Sequence, residues 1–236
     1  TTEPVLLLIG SPMAALGFAT LAGYFTDRTI VTYDPRGSER SRRTNGAAET
    51  AVEEHAEDLH RLIAVLDAGP VEIFASSGGA VNALELVARH PEQVRTLVAH
   101  EPPVAQLVPD REEALAASRA IRETYLREGF GPAMAMFIAI VSHQGPIPAG
   151  FAEQPGPDPS MFGLPTQDDG SRDDVLLGQN LVTCTHHEHD LEALRAASTR
   201  IVIGVGAESE GELADRAGRA LAERLGLGPV TFPSNH

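Results

Sequence analysis

The chain has 236 residues, 42% of them hydrophobic, which is long enough to bury one sizeable core and predicts a single domain. A formal net charge of -15, with no basic cluster to neutralise phosphates, excludes nucleic acid as a partner. The lone cysteine, Cys184, excludes an internal disulfide and a cysteine zinc site, and no apolar run approaches the ~20 residues of a membrane span, so a soluble, cytoplasmic protein without membrane partners is expected.

Val5 to Ile9 is a continuous apolar run of strand length, ended by Gly10-Ser11-Pro12-Met13, and reads as a strand buried on both faces. A second run, Thr29 to Tyr33, stops at Asp34-Pro35-Arg36-Gly37-Ser38-Glu39-Arg40-Ser41. Val52, Ala56, Leu59, Ile63 and Leu66 then recur at helical spacing, with Thr50 and Glu53 placed as a capping box.

Ile73-Phe74-Ala75-Ser76-Ser77-Gly78-Gly79-Ala80 predicts a strand that breaks sharply into a helix, with Ser77 at the turn. A nucleophile on such a turn takes a strained φ/ψ, so the residues two before and two after it must be small, as Ala75 and Gly79 are. The helix runs through Val81, Leu84, Leu86 and Val87 to His90-Pro91, where proline stops it. Its N-terminus therefore lies beside Ser77.

A strand from Val94 to His100 follows, and far downstream come a strand from Ile201 to Gly206, a helix with Leu213, Ala217, Leu221 and Leu225 on one side, and a last strand, Val230 to Phe232. Strand and helix in alternation predict an α/β fold, a predominantly parallel sheet with helices on both faces and its ligand site outside the carboxyl ends of the strands. The interval from 102 to 190 departs from the repeat. It is expected to be a helical cap or lid over a core formed by residues 1–101 and 191–236, opening on a helix capped by Asp110 and Glu113. Met134, Met136, Phe137, Met161 and Phe162 are candidates to line an acyl pocket beneath it, against the reading that they only pack the cap onto the core.

The segment from Asp34 to Ser41 resembles the D-x-R-G-x-G-x-S loop of α/β-hydrolases, with Glu39 in the middle of that pattern. Together with the Ser77 turn, in which Ala75 replaces the first glycine of G-x-S-x-G, and with Gly10-Ser11-Pro12 in the same order, the chain is identified as a member of that superfamily over nearly its whole length. The resemblance implies a catalytic base after the last strand, where His236 stands. His55, His60, His90 and His143 are read as solvated or surface groups.

The position usual for the acid, after the penultimate strand in Gly206-Ala207-Glu208-Ser209, carries serine. Either Glu208 substitutes, or the acid is Glu101 after the earlier strand, as in some haloalkane dehalogenases. Glu101 is preferred, because a charged residue closing an apolar strand needs a partner to offset its desolvation. The backbone N–H groups of Gly78 and Ser11 are the expected oxyanion donors, with Ile9 standing where relatives carry histidine.

His186-His187-Glu188-His189-Asp190 concentrates metal-binding groups, but adjacent residues in one run seldom converge on one ion, and a polar loop is expected there. Gly204-Val205-Gly206 lacks the third glycine of a dinucleotide fingerprint, so no cofactor is expected.

The resulting expectation is a serine hydrolase that cleaves an ester, thioester or lactone with an apolar acyl group through an acyl-enzyme. Ser77 is its nucleophile, His236 its base and Glu101 its acid. The alternatives are a carbon–carbon bond hydrolase or lyase using the same triad, and a non-catalytic scaffold that binds a small molecule. Epoxide hydrolysis and dehalogenation are disfavoured because they need aspartate at position 77. The absence of methionine at Thr1 and of a helix after His236 leads to the expectation that residues at both ends are missing.

Overall fold

A computed structural model describes residues 4–44 and 46–236. Among the described residues six strands, β1 (Leu6–Ile9), β2 (Ile30–Thr32), β3 (Val71–Ser76), β4 (Val94–His100), β5 (Arg200–Gly206) and β6 (Val230–Phe232), form one sheet in the order β2-β1-β3-β4-β5-β6. Every pairing is parallel. The helices are α1 (Ala19–Ala22), α2 (Val52–Leu66), α3 (Gly78–Arg89), α4 (Arg111–Glu128), α5 (Phe130–Val141), α6 (Leu181–His186), α7 (Leu191–Ala196) and α8 (Leu213–Leu225).

All of β1 is buried, because both faces of the sheet are covered there. Leu7 and Ile9 join the main core with Val52, Leu59, Ile73, Leu84 and Leu97. Leu6 and Leu8 face the opposite layer, where Phe18, Leu21 and Phe25 from the β1–β2 connection pack with Phe74. α3 runs through the centre, buried from Gly78 to Val87, which explains why its sequence is apolar almost all round.

Two helix starts differ from expectation. α2 begins one residue later than the Thr50/Glu53 box implies: Ala51 is its N-cap, and Glu54 reaches back to accept from the Ala51 N–H at 3.1 Å. Thr50 is fully buried instead, and its backbone N–H donates to Gln179. Asp110 does precede α4, but its carboxylate is used over long range, accepting from the Ile147 N–H at 2.8 Å and pairing with Arg216 at 2.6 Å.

His55 is not solvated. Only 3% exposed, it lies on the buried face of α2, and burial lowers its pKa. His60 and His90 stack on each other with ring centroids 3.9 Å apart. Among the described residues, no helix is long and apolar enough to cross a membrane.

Candidate active site

Ser77 sits where β3 turns into α3, at φ 55° and ψ -127°. Such a conformation costs a non-glycine residue about 1–3 kcal/mol and must be held by its surroundings. The Ser77 N–H donates to the His100 carbonyl at 3.0 Å, tying the turn to the end of β4. Gly79 explains the need for a small residue two positions on: a Cβ there would lie 2.6 Å from the Ile9 carbonyl oxygen and 2.8 Å from Gly10 Cα. Gly78 is equally constrained, since its Cβ would lie 2.6 Å from the Ser11 carbonyl oxygen. The start of α3 therefore packs directly on the loop after β1.

That loop contains a cis Ser11–Pro12 bond and is braced from three directions. Asp34 accepts from the Ala15 N–H at 3.2 Å, the Ser38 hydroxyl donates to the Pro12 carbonyl at 3.0 Å, and the Asn180 amide donates to Ser11 Oγ at 3.4 Å. Arg36 is anchored by a bidentate pair with Asp58 at 2.8 and 2.6 Å. Glu39 takes φ 45° in this loop. The hydrolase-like segment from Asp34 thus supports the loop that carries Ser11.

The structure brings His236 between Ser77 and Glu101. Its Nδ1 lies 2.7 Å from Glu101 Oε2 and its Nε2 2.9 Å from Ser77 Oγ. With Glu101 ionised, Nδ1 carries the proton and donates to the carboxylate, which leaves Nε2 free to accept from the Ser77 hydroxyl.

Glu101 is fully buried and itself has a positive φ of 46°. Its other oxygen accepts from the Gly206 N–H at 2.7 Å and from the Ser209 hydroxyl. Burial alone would raise its pKa, but the hydrogen bonds from His236, Ser209 and Gly206 outweigh it and hold the carboxyl down to about 2. Glu208 is exposed and lies outside this network.

Close backbone approach delivers the histidine. The Ala207 and Glu208 N–H groups donate to Phe232 and Ser234, joining the turn after β5 to the segment that ends in His236. A Cβ on Gly206 would lie 2.8 Å from the Ser234 carbonyl oxygen, and one on Gly204 2.9 Å from the Phe232 ring. These glycines let β6 and its extension approach.

Ser11, Ser77, Gly78 and His236 open into a cavity of about 230 Å³. Its walls are mostly apolar: Ala114 and Ile121 of α4, Phe137 and Ile140 of α5, Leu181 of α6 and Leu213 of α8. Of the five side chains proposed from the sequence, only Phe137 lines it. Met134 and Met136 pack against the core, whereas Met161 is 76% and Phe162 38% exposed. Cys184 also faces the cavity, with burial pushing its thiol up to about 12, so it stays protonated and unreactive at neutral pH.

Asn180 had no sequence signal. It ends a π-helical turn, Leu176–Asn180, whose i to i+5 bonding leaves no distinctive residue pattern.

A family model described as the alpha/beta hydrolase fold matches residues 3–163. The Bacillus subtilis (strain 168) protein named uncharacterized hydrolase YraK is 42% identical over 107 residues, a match spanning 44% of this chain and 40% of that protein. Among solved structures, a thermophilic esterase from Thermogutta terrifontis is 20% identical with a TM-score of 0.66, covering 99% of this chain and 82% of that one. A structure from work on carboxylesterases of Nitrososphaera gargenis is 16% identical with a TM-score of 0.67, covering 100% and 84%. At these identities the likeness to solved structures is one of fold.

Proposed function

Because the chain belongs to the alpha/beta hydrolase fold family, we propose that it is a serine hydrolase that cleaves a carboxylic ester, thioester or lactone through an acyl-enzyme on Ser77. One observation carries this reading: a single imidazole bridges Ser77 Oγ at 2.9 Å and the buried Glu101 carboxylate at 2.7 Å. A serine hydroxyl is a weak nucleophile until a base takes its proton, and an imidazole that donates Nδ1–H to Glu101 suits that role.

In the proposed reaction Ser77 Oγ attacks the substrate carbonyl carbon while His236 Nε2 accepts its proton. Glu101 keeps Nδ1 protonated and stabilises the imidazolium. The oxyanion is received by the N–H of Gly78, at the positive end of α3, and by that of Ser11. Collapse breaks the bond to the leaving oxygen or sulfur, which takes the proton from His236. Water, deprotonated by the same imidazole, then attacks the acyl-enzyme and releases the acid and Ser77.

The cavity narrows the substrate. At about 230 Å³ it lies below the ~300 Å³ at which pockets for drug-sized ligands begin, and its walls offer few polar groups. A small apolar acyl group fits both features. In this reading residues 102–190 act as the cap, since α4, α5 and α6 supply most of the acyl wall.

The test pairs p-nitrophenyl ester turnover with intact mass after a fluorophosphonate probe. Wild-type protein should gain one adduct and lose activity, and Ser77→Ala should show neither adduct nor turnover while keeping its fold. Ligand binding without an adduct on the wild type would favour a silent scaffold and refute the proposal.

A further inference from the structure

We propose that Glu85, His187 and His189 form a binding site for a divalent transition-metal ion of the zinc class, apart from the Ser77 pocket. Glu85 lies on α3 eight residues beyond Ser77, about 12 Å along the helix at ~1.5 Å per residue. His187 and His189 follow α6, where the backbone is extended, with His187 at φ -65° and ψ 134°. His186 and Glu188 take no part: His186 is bonded to the Val182 carbonyl at 3.0 Å and Glu188 is exposed.

One ligand atom from each of the three residues lies within 4.8 Å of the others. Glu85 Oε2 is 3.0 Å from His187 Nε2 and 3.7 Å from His189 Nδ1. Tetrahedral zinc with bonds of about 2.0–2.1 Å sets its ligand atoms ~3.3 Å apart, and the two Glu85 separations lie on either side of that value.

The His189 side chain is only 2% exposed, and among the described residues neither ring nitrogen has a partner within hydrogen-bond distance, Glu85 Oε2 standing 3.7 Å from Nδ1. A buried polar group without a partner calls for an explanation, and a cation on Nδ1 supplies one. Two imidazoles and a carboxylate match zinc chemistry and leave a fourth position for water.

The surroundings agree. Arg89 binds the other Glu85 oxygen, Oε1, at 2.5 Å and leaves Oε2 to the imidazoles. Glu53 stands 3.8 Å from His187 Nδ1, the nitrogen turned away from the site, as carboxylates do behind metal-bound histidine. Both histidines border a cavity of about 220 Å³, a route for a hydrated ion. The ion would staple the segment between α6 and α7 to the central helix.

Tag-free protein stripped with chelator and titrated with Co(II) should develop the visible absorption of a tetrahedral site at one ion per chain. Zn(II) should displace it and raise the melting temperature. His189→Ala and Glu85→Gln should weaken binding at least ~30-fold, and His186→Ala should leave it unchanged. X-ray absorption of the zinc-loaded wild type, which needs no variant to fold, should show imidazole nitrogen and oxygen ligands. No stoichiometric binding, equal loss in His186→Ala, or a ligand shell without imidazole would overturn the proposal.

Discussion

Replacing Gly79 by alanine tests whether the packing of α3 on β1 sets the reaction geometry. The added Cβ would meet three backbone atoms, the Ile9 carbonyl oxygen at 2.6 Å, Gly10 Cα at 2.8 Å and Gly10 C at 2.9 Å, where an ordinary contact begins near 3.4 Å. The two segments must therefore separate by about 0.5–0.8 Å, a shift of the size that overpacking imposes on a filled core. Ile9 is fully buried and pairs with Ala75 of β3, so β1 cannot retreat alone. The start of α3 must move, taking Ser77 and the Gly78 N–H with it.

A misplacement approaching 1 Å in a catalytic group lowers kcat by ~10²-fold, and overpacking costs about 1–3 kcal/mol. At ~2–4 °C per kcal/mol for a chain of this size, Tm should fall by about 2–12 °C. The assays are p-nitrophenyl ester kinetics and thermal denaturation, with Gly228→Ala as control because among the described residues nothing lies within 4 Å of its added Cβ. A Gly79→Ala protein with kcat within threefold of wild type and an unchanged Tm would refute this account of the turn.

Glu101→Gln should lower kcat by ~10³–10⁴-fold with little change in KM, because an amide facing Nδ1 favours the wrong imidazole tautomer; kinetics that stay near wild type would remove Glu101 from the mechanism. The folded Glu101 carboxyl is held down to about 2 from 4.5, so its stabilisation is present above pH 4.5 and is lost as pH falls towards 2. The upper bound is about 3 kcal/mol, reduced to about 1–2 kcal/mol by solvent reaching the His236 side, and urea midpoints at pH 7 and pH 3 should lie further apart in wild type than in Glu101→Gln. Ser209→Ala removes a donor that lowers the Glu101 pKa and should move the acid limb of the kcat profile upward, an effect read from rates between pH 3 and 6. Phe137→Ala enlarges the cavity and should raise the preference for octanoate over acetate esters roughly 10-fold in kcat/KM, against no change if the acyl group binds elsewhere.

Legibility followed the range of the interactions. The buried runs of β1 and β3, the serine turn and the proline stop after α3 are local signals, and the parallel sheet follows from their alternation with helices. The pairing of Glu101 with His236 was readable because a carboxylate closing an apolar strand must find a partner. The cavity walls were not, since Ile121, Ile140, Leu181 and Leu213 are hydrophobic helix residues whose convergence depends on tertiary packing. His55 carried an unused signal: it falls with Val52, Ala56, Leu59 and Ile63 on one helical stripe, the buried face of α2. The pairing of Asp110 with Arg216, and of Asp34 with the Ala15 N–H, spans distances at which local capping patterns carry no information.

In the proposed triad, the arrangement around Glu101 lets the acid stand after β4 while the position after β5 holds serine. β4 and β5 are neighbours in the sheet, so the turns at their carboxyl ends lie side by side, and the Glu101 N–H donates to Gly204 across them. Either turn can therefore reach an imidazole arriving from beyond β6. A carboxylate at both positions would place two like charges in one buried pocket and raise one pKa sharply. Serine at 209 avoids that conflict and turns the vacated position into a donor, which with the Gly206 N–H occupies Oε1 and leaves Oε2 to His236. On this argument Ser209→Asp is worse than Ser209→Ala. The second acid should lift the Glu101 pKa towards neutrality and remove activity at mildly acidic pH, where the alanine variant still turns over.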